Sequence, residues 1–331
     1  MKIYETIGID ISKLTMDVSI HSNKAYLKVE NSIKGFKKMI KWVYKTSSFT
    51  KEEILFIFEH TGMYSYQLSV YLTQQEIPFA MVSGLAIKRS LGIVRGKDDK
   101  VDSKNIALYG YRMREELSPT IIPIAKLQSI KFLLQMRERL VKQRAGYKAS
   151  YKEYKRILVR KENLVLLETQ EKMIHYLTKQ IKIVNDKIKK EIKQDEQLYE
   201  MYLRIISIKG VGTQTALIMI VTTNGFTKFV SWRKYASYCG IAPFPNQSGS
   251  SLRGKTKISN LANKKIKSLL DLCAKSAIQF NPEMKAYYNK RVSEGKNKKS
   301  VINIIRNKLL ARIFAVVKRN TDYVDIFKFA A

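Results

Sequence analysis

The 331-residue chain contains 61 lysine and arginine residues against 28 aspartate and glutamate residues, a formal net charge of +33 at pH 7. A surplus this large is atypical of an ordinary globular enzyme and indicates a polyanionic partner, nucleic acid before membrane. The longest apolar runs are too short to span a bilayer, and acidic residues near the N-terminus interrupt the apolar core that a signal peptide needs. The composition therefore favours a cytoplasmic nucleic-acid-binding protein with no membrane partner.

The positions of the charged residues and of the two cysteines make this prediction more specific. Residues 201–331 hold 24 basic and 5 acidic side chains, so we expect the phosphate backbone to dock on the C-terminal part. The two cysteines, Cys239 and Cys273, lack the paired spacing of a zinc site or a disulfide framework. The sequence thus predicts a protein that works in a reducing compartment.

The first 125 residues alternate strand and helix patterns. Three short strands, Ile3–Ile11, Leu14–Ile20 and Ala25–Val29, are joined by polar turns and predict an antiparallel meander. An amphipathic helix follows, then the continuous apolar strand Ile54–Glu59, a helix over 65–75, and a further strand and helix. This order predicts an α/β domain with a mixed sheet.

Apolar residues recur at spacings of three and four over 126–198. The recurring residues are Leu127, Ile130, Leu134 and Val141, then Met173, Leu177, Ile181, Val184, Ile188 and Ile192. This spacing is typical of the narrow seam of a coiled coil, and the two stretches predict an antiparallel hairpin that turns near residues 161–164. Two interpretations stay open: helices that pack only on each other, or an arm for oligomerisation or for clamping nucleic acid.

Residues 199–331 are predicted to be mainly helical. A short turn with Gly210 and Gly212 resembles the helix-hairpin-helix element, whose backbone N–H groups contact phosphate, and a packing role fits it equally well. The elements predicted next are a helix over 229–240, an irregular stretch over 241–257, and helices over 260–280 and 282–319. The candidate nucleic-acid-binding residues are Lys209, Gly210, Gly212, Arg253, Lys255, Lys257, Lys264 and Lys265.

Four acidic residues interrupt or end the predicted core elements of the first part. Asp10 lies inside an apolar strand, where an unpaired carboxylate would cost several kcal/mol to bury, and Glu59 ends another apolar run. Asp99 and Asp102, three residues apart, would share one face of a helix. Carboxylate ligands without histidine or cysteine select Mg²⁺ or Mn²⁺ over zinc, and such ions can activate a phosphodiester.

Each acid also has a simpler interpretation. Asp99 and Asp102 could cap a helix, and taken alone that is the commoner role. Asp98 competes with Asp99, which is preferred for its spacing to Asp102. His60, next to Glu59, could act as a general base, although such a histidine is more often a hydrogen-bonding residue.

The order of these motifs resembles a known family. Asp10 on a strand, Glu59 in Phe58-Glu-His-Thr-Gly62, and Lys97-Asp-Asp-Lys-Val-Asp-Ser103 are similar to the DEDD insertion-sequence transposases related to the Piv DNA invertase. The second half agrees with their C-terminal transposase domain. The agreeing segments are 208–212, Tyr235-Ala-Ser-Tyr-Cys-Gly-Ile-Ala-Pro243, Gln247-Ser-Gly249, Gly254 and Ile258-Ser-Asn-Leu-Ala-Asn263.

The resemblance implies a RuvC-like first domain in the ribonuclease-H fold and a recombinase guided by a bridge RNA that pairs with donor and target DNA. Its catalytic and metal-binding acids fall on Asp10, Glu59, Asp99 and Asp102, and its catalytic serine falls on Ser248. Two positions depart from the family. Gln247 stands where a second serine is common, which leaves Ser250 and Ser251 as alternatives, and Ser103 stands where alanine is usual.

The sequence therefore predicts three parts: a RuvC-like α/β domain over 1–125, a coiled coil over 126–198, and a helical transposase domain with a serine loop over 199–331. We expect a homodimer that pairs into a tetramer on DNA, with acids and serine in a composite site. Two other functions stay open. One is a metal-dependent nuclease or Holliday-junction resolvase that uses water, and the other is a nucleic-acid-binding protein without catalysis.

Overall fold

A computed structural model describes residues 2–90, 92, 98–122, 125–157, 164–248 and 252–324. They form two compact units that divide between residues 122 and 123. Within the described residues, no helix combines the length and the apolar character that a membrane span requires.

A five-stranded mixed sheet forms the centre of the first unit. Its strands are β1 (Glu5–Ile11), β2 (Thr15–Ile20), β3 (Tyr26–Glu30), β4 (Ile54–Glu59) and β5 (Phe79–Val82). They lie in the order β3-β2-β1-β4-β5, in which β1, β2 and β3 are antiparallel and β4 and β5 run parallel to β1. The predicted meander and the mixed sheet are confirmed.

Helices cover both faces of this sheet. They are α1 (Ile33–Thr46), α2 (Tyr66–Gln74), α3 (Gly84–Ser90) and α4 (Asp99–Arg112). One apolar cluster joins Ile7 and Ile9 of β1 to α1 and α2, and a second joins Ile57 of β4 to Ile106 and Tyr109 of α4. Because β1 and β4 are covered on both sides, their apolar residues are almost completely excluded from water.

The second unit is helical apart from one β-hairpin. Its helices are α5 (Ala125–Ile157), α6 (Leu164–Lys193), α7 (Glu196–Ile206), α8 (Thr213–Thr222), α9 (Trp232–Cys239), α10 (Lys264–Phe280), α11 (Pro282–Ser293) and α12 (Lys298–Arg319). Strands β6 (Pro243–Ser248) and β7 (Leu252–Ile258) form an antiparallel hairpin. Together with the mixed sheet of the first unit, this arrangement confirms the predicted fold class of α/β plus all-α.

Helices α5 and α6 pair as the predicted antiparallel hairpin. Arg137 Nε donates a hydrogen bond to Asn185 Oδ1 (2.7 Å), and Arg144 Nη1 donates to Thr178 Oγ1 (3.2 Å). The predicted turn lies mainly in 158–163, outside the described residues. At the other end of the hairpin, Ile130 and Ile192 join the same buried cluster as the C-terminal helices, so the base of the hairpin belongs to the core of the second unit.

Two predicted elements differ from the structure. The single helix expected over 282–319 is divided into α11 and α12, because Gly295 takes a left-handed backbone (φ +84°) and the Asn297 side chain caps the next helix. The stretch expected to be irregular over 241–257 contains the β6–β7 hairpin. Its pairing shifts register between Phe244 and Asn246, and a shifted pairing is hard to read from sequence.

Two isoleucines of α6, one buried and one exposed, allow a test of the contact between α5 and α6. Ile181 is 5% exposed against α5, whereas Ile183 on the same helix is 52% exposed. Ile181→Asp should lower the free energy of unfolding by about 3 kcal/mol, because it buries an unpaired charge. Ile183→Asp should change it by less than about 0.5 kcal/mol. Thermal unfolding followed by circular dichroism measures both, and equal effects would contradict the assigned seam.

Candidate metal centre and nucleic-acid surfaces

Strand β1 presents two chemically different faces. Ile7, Ile9 and Ile11 point into the apolar cluster beneath α1 and α2. Since side chains alternate along a strand, Thr6, Gly8 and Asp10 share the opposite face, which α4 covers. Thr6 Oγ1 donates a 2.8 Å hydrogen bond to the carbonyl oxygen of Ala107 on that helix.

Gly8 allows α4 to lie directly on β1. A Cβ atom at this position would sit 2.1 Å from the carbonyl oxygen of Ser103 and 2.3 Å from the amide nitrogen of Ala107, both backbone atoms of α4. Any larger residue would push the helix away. The first turn of α4 carries Asp99 and Asp102, so this close approach also positions those carboxylates beside Asp10.

Three of the four predicted acids come together. Asp10, Asp99 and Asp102 each offer a carboxylate oxygen, and these oxygens all lie within 4.8 Å of one another. Oxygen ligands at about 2.1 Å from a Mg²⁺ ion are about 3 to 4 Å apart. Small side-chain rotations would bring the three carboxylates to that spacing, and the residues therefore fit a Mg²⁺ or Mn²⁺ ion.

Helix capping does not occupy Asp99 or Asp102. The cap of α4 is Asp98, whose side chain accepts a hydrogen bond from the Lys100 amide (3.2 Å). Asp99 and Asp102 lie in the first helical turn, where the helix dipole favours negative charge. The geometry thus separates the capping residue from the two acids of the cluster.

The environment of Asp10 disfavours its charged form. Burial raises the pKa of the Asp10 carboxyl to about 6, and repulsion from Asp102, Asp99, Asp17 and Glu59 adds to the shift. A bound cation would reverse both effects by compensating the negative charge.

Glu59 lies beside this cluster, outside the set of three. It ends β4, the parallel neighbour of β1, and its carboxylate packs against Gly84 at the start of α3. Its predicted role as a fourth ligand stays a prediction. The adjacent His60 is exposed, and its Nδ1 accepts a hydrogen bond from the Gly62 amide (3.3 Å), which is the local hydrogen-bonding role considered for it.

Sequence reasoning missed a fifth acid, Asp17 on β2. Asp17 pairs directly across from Asp10 in the β1–β2 ladder and is only 2% exposed. Its carboxylate accepts a hydrogen bond from the Tyr26 hydroxyl and lies 3.5 Å from Lys28 Nζ. The hydrogen bond to Asp17 is the main cause that raises the pKa of Tyr26 to about 12. The only local signal is that Asp17 alternates with the apolar residues of β2, and that pattern fits a strand with one face in water equally well.

The predicted serine lies on the β6–β7 hairpin. Ser248 ends β6 opposite Leu252, and its side chain lies outside the described part of the structure, as do the side chains of Arg253 and Lys255. Ser250 and Ser251 fall in 249–251, outside the described residues. The catalytic assignment of Ser248 therefore stays a prediction.

The predicted glycine turn has two distinct positions. Gly210 takes φ +98°, and a Cβ atom there would lie 2.8 to 2.9 Å from atoms of Ala277 on α10, so this glycine is required for packing. Gly212 precedes α8 as its cap, is exposed, and has open space where a Cβ would be. Within the turn, Gly212 and the exposed Lys209 are the positions a phosphate can approach.

The remaining basic candidates differ in availability. Lys257 and Lys264 are exposed. Lys265 forms an ion pair with Glu138 of α5, and this hydrogen bond is the main cause that lowers the pKa of Glu138. Lys265 therefore connects α10 to α5 in addition to any contact with phosphate.

Two family profiles match the chain. A DEDD transposase family of the IS110 type matches residues 7–154, and the Transposase IS116/IS110/IS902 family matches residues 202–289. The first match contains Asp10, Glu59, Asp99 and Asp102. The second contains Ser248 and the glycine turn.

Named relatives extend the comparison. Pilin gene-inverting proteins of Moraxella bovis and Moraxella lacunata are each 26% identical over 329 residues, covering 96% of this chain and 97% of the relative. An uncharacterized 43.6 kDa protein of insertion element IS110 from Streptomyces coelicolor is 28% identical over 119 residues, 36% of this chain and 29% of that protein. Similarity to the gene-inverting proteins thus extends over nearly the whole length of both chains.

Gly8→Ala tests whether contact between α4 and β1 assembles the acidic cluster. The added methyl should lower the free energy of unfolding by about 1 to 3 kcal/mol, because backbone atoms of α4 must move. It should also remove most of the rise in melting temperature that Mg²⁺ produces in the wild type. The control is Gly146→Ala on α5, where a Cβ meets open space; that variant should keep the Mg²⁺ response. An unchanged response in Gly8→Ala would contradict the role given to Gly8.

Asp10→Asn tests the electrostatic cost of the site. The pKa of Asp10 is about 6 in the folded protein and about 4 in an unfolded chain. In EDTA, the Asp10 carboxyl should therefore reduce stability progressively as pH rises from about 4 to 6. At pH 7.5 Asp10→Asn should be more stable than wild type by about 1 kcal/mol, a figure discounted for solvent screening of a half-buried group.

The control for this comparison is Asp186→Asn, at an exposed position of α6. Chemical denaturation at pH 4 and at pH 7.5 gives the difference for each variant. A loss of stability in Asp10→Asn at pH 7.5 without metal would show that the carboxylate is structurally favourable, contrary to the account.

Proposed function

The chain belongs to the IS110-type DEDD transposases, whose two domains it contains in order, and from this we propose that it is an RNA-guided, site-specific DNA recombinase of an insertion sequence. Its substrates are donor and target DNA, and its guide is a bridge-type RNA. The observation that carries the proposal is the cluster of Asp10, Asp99 and Asp102 on a chain of net charge +33. A negative pocket suits a divalent cation, and a strongly positive protein suits nucleic acid.

The acids prepare the phosphodiester for reaction. Asp10, Asp99 and Asp102, with Glu59 beside them, would hold Mg²⁺ or Mn²⁺. When bound, such an ion supplies Lewis-acid stabilisation of negative charge on the phosphate oxygens. Asp17 holds Tyr26 and Lys28 on the neighbouring strand β3 and thereby supports the face of the sheet on which Asp10 lies.

The nucleophile in this proposal is Ser248. Its Oγ attacks phosphorus, an Oγ–P bond forms, and the bond from phosphorus to one deoxyribose oxygen breaks. The serine proton passes to a general base, and the deoxyribose oxygen leaves as a hydroxyl after it takes up a proton. The DNA stays attached as a phosphoserine ester, which a hydroxyl of a second strand can attack in the reverse sense. One phosphodiester is thus exchanged for another without an external energy source.

Partners and location complete the proposal. The C-terminal excess of basic residues would bind the guide RNA and both DNAs. Two protomers would form a dimer, and two dimers would meet on DNA as a tetramer. The three-part division at residues 125 and 198 and a cytoplasmic location are parts of the same proposal.

A second outcome of this chemistry is inversion of a DNA segment. The two Moraxella relatives are named for gene inversion and match the chain nearly end to end. Strand exchange between two sites inserts, excises or inverts DNA according to where the sites lie and how they are oriented. The same purified protein can be tested on sites in both orientations.

Ser248→Ala and Asp10→Asn separate the possible mechanisms. With labelled DNA and guide RNA, the wild type should form a covalent protein–DNA adduct, seen on a denaturing gel. Ser248→Ala should reduce the adduct by at least about a thousand-fold while RNA binding is retained. Asp10→Asn should abolish adduct and cleavage together. Ser250→Ala and Ser251→Ala are the matched controls and should form the adduct normally.

Other outcomes would contradict the proposal. Continued cleavage by Ser248→Ala would indicate a nuclease or resolvase that uses water. An absence of cleavage in every form, with RNA binding intact, would indicate a binding protein without catalysis. Mg²⁺-dependent cleavage by Asp10→Asn would contradict the metal-site assignment.

A further inference from the structure

A groove lies between the β6–β7 hairpin, the segment 259–261 that precedes α10, and Ser237 of α9. It holds about 680 Å³, within the usual range for small-ligand pockets. Its lining includes the apolar side chains Phe244, Pro245, Ile258 and Leu261, and the polar side chains Lys257 and Ser259. We propose that this groove binds an unpaired nucleobase of the reacting DNA strand, an inference that rests on the proposed recombinase function.

The groove joins a flat apolar surface to a positive charge. The Phe244 side chain is 44% exposed, and Leu261 nearby is 58% exposed. Phe244 lies directly opposite Lys257 in the hairpin ladder. A nucleotide requires this combination, because its base stacks on an aromatic ring while its phosphate pairs with an ammonium group.

A hydroxyl adds a polar contact for the base edge. Ser259 Oγ accepts a hydrogen bond from the Leu261 amide (3.1 Å). A hydroxyl that accepts one bond still has its own proton to donate. Carbonyl oxygens and ring nitrogens of nucleobases are suitable acceptors for it.

Charge favours a nucleic acid over a peptide or another protein as the occupant. The described lining residues include Lys257 and no acidic side chain, and residues 201–331 hold 24 basic against 5 acidic residues. Within a duplex, bases stack on each other and present only their edges. A base must therefore be unpaired for its face to lie on Phe244.

The distance from the groove to the proposed nucleophile, Ser248, indicates a role for the groove. Phe244 and Ser248 are four residues apart on β6, about 13 Å at 3.3 Å per residue. That distance spans about four stacked base steps of one DNA strand. A base held in the groove would lie within about four nucleotides of the phosphate that Ser248 attacks. Holding that base out of the duplex would keep the cut strand from pairing again with its original complement while the serine ester exists.

The test uses the full-length protein with Ser248→Ala, so that no chemistry occurs. The probe is a single-stranded oligodeoxynucleotide with one 2-aminopurine, a base whose fluorescence falls when it stacks. Addition of protein should quench the probe. Phe244→Ala should weaken binding by about ten-fold and remove most of the quench, whereas Phe244→Trp should retain both.

Phe280→Ala is the matched control, because Phe280 is 65% exposed at the end of α10, outside the groove. It should bind and quench as the parent protein does. Circular dichroism confirms that each variant is folded. If Phe244→Ala does not fold, Phe244→Leu provides the test, because it keeps an apolar side chain without an aromatic ring and should lose most of the quench.

Three results would overturn the inference: no quench by the parent protein, equal quench by parent and Phe244→Ala, or equal quench when the probe base is paired in a duplex. The readout does not depend on cleavage. Failure of Ser248 to form an adduct would contradict the proposed function and leave the fluorescence result independent, so the two failures can be told apart.

Discussion

Helix α4 lies in direct contact with strand β1, and the acidic centre depends on this contact. Gly8 leaves room for the helix backbone, and Thr6 fixes it with a hydrogen bond to Ala107. Ser19 of β2 adds a second tie through the Ser103 hydroxyl (2.8 Å). Small and polar residues thus occupy one face of β1 and β2, where an ordinary core would have large apolar side chains. Apolar packing is reduced on this face, and the close approach of α4 fixes Asp99 and Asp102 beside Asp10.

The arrangement of charge follows from this contact. Asp10, Asp99 and Asp102 repel one another, and burial raises the pKa of Asp10 to about 6. Ionisable groups whose pKa values are shifted by burial and by like charges are typical of functional sites. A bound ligand can supply the stabilising interaction that folding alone does not provide. The rest of the chain has the opposite character, with most of its positive excess beyond residue 200. A nucleic acid with divalent ions would match both the acidic cluster and the basic part of the chain. Lysines would attract its phosphate backbone, and the carboxylates would attract the ions.

Much of the first unit could be predicted from sequence, because the dominant signals there are local. Asp10 is marked by its place between Ile9 and Ile11 in an apolar run, and Asp99 and Asp102 by their helical spacing. The sequence does not single out Asp17, because strict alternation with Met16 and Val18 is also the pattern of a strand with one face in water. Only the covering of that face by α4 makes Asp17 buried, and a long-range contact of this kind has no local signature. The contact between Gly8 and α4 cannot be predicted from the sequence for the same reason.

The second unit shows a different limit. The α5–α6 seam was readable from its apolar spacing, whereas the β6–β7 hairpin was not, since its glycines, prolines and serines indicate a loop and its register shift depends on pairing across the turn. The groove beside Phe244 exists only once that hairpin forms. The link between Ser248 and the acids comes from the family resemblance alone.

The most direct test of the acidic centre is anomalous diffraction from crystals of the wild-type protein soaked in Mn²⁺. We expect an anomalous peak about 2.1 Å from carboxylate oxygens of Asp10 and Asp102, with Asp99 in the same coordination sphere or bound through water, and no such peak in crystals of Asp10→Asn. Manganese bound elsewhere on the protein, with no peak beside these three aspartates, would contradict the assignment of this cluster as the metal centre.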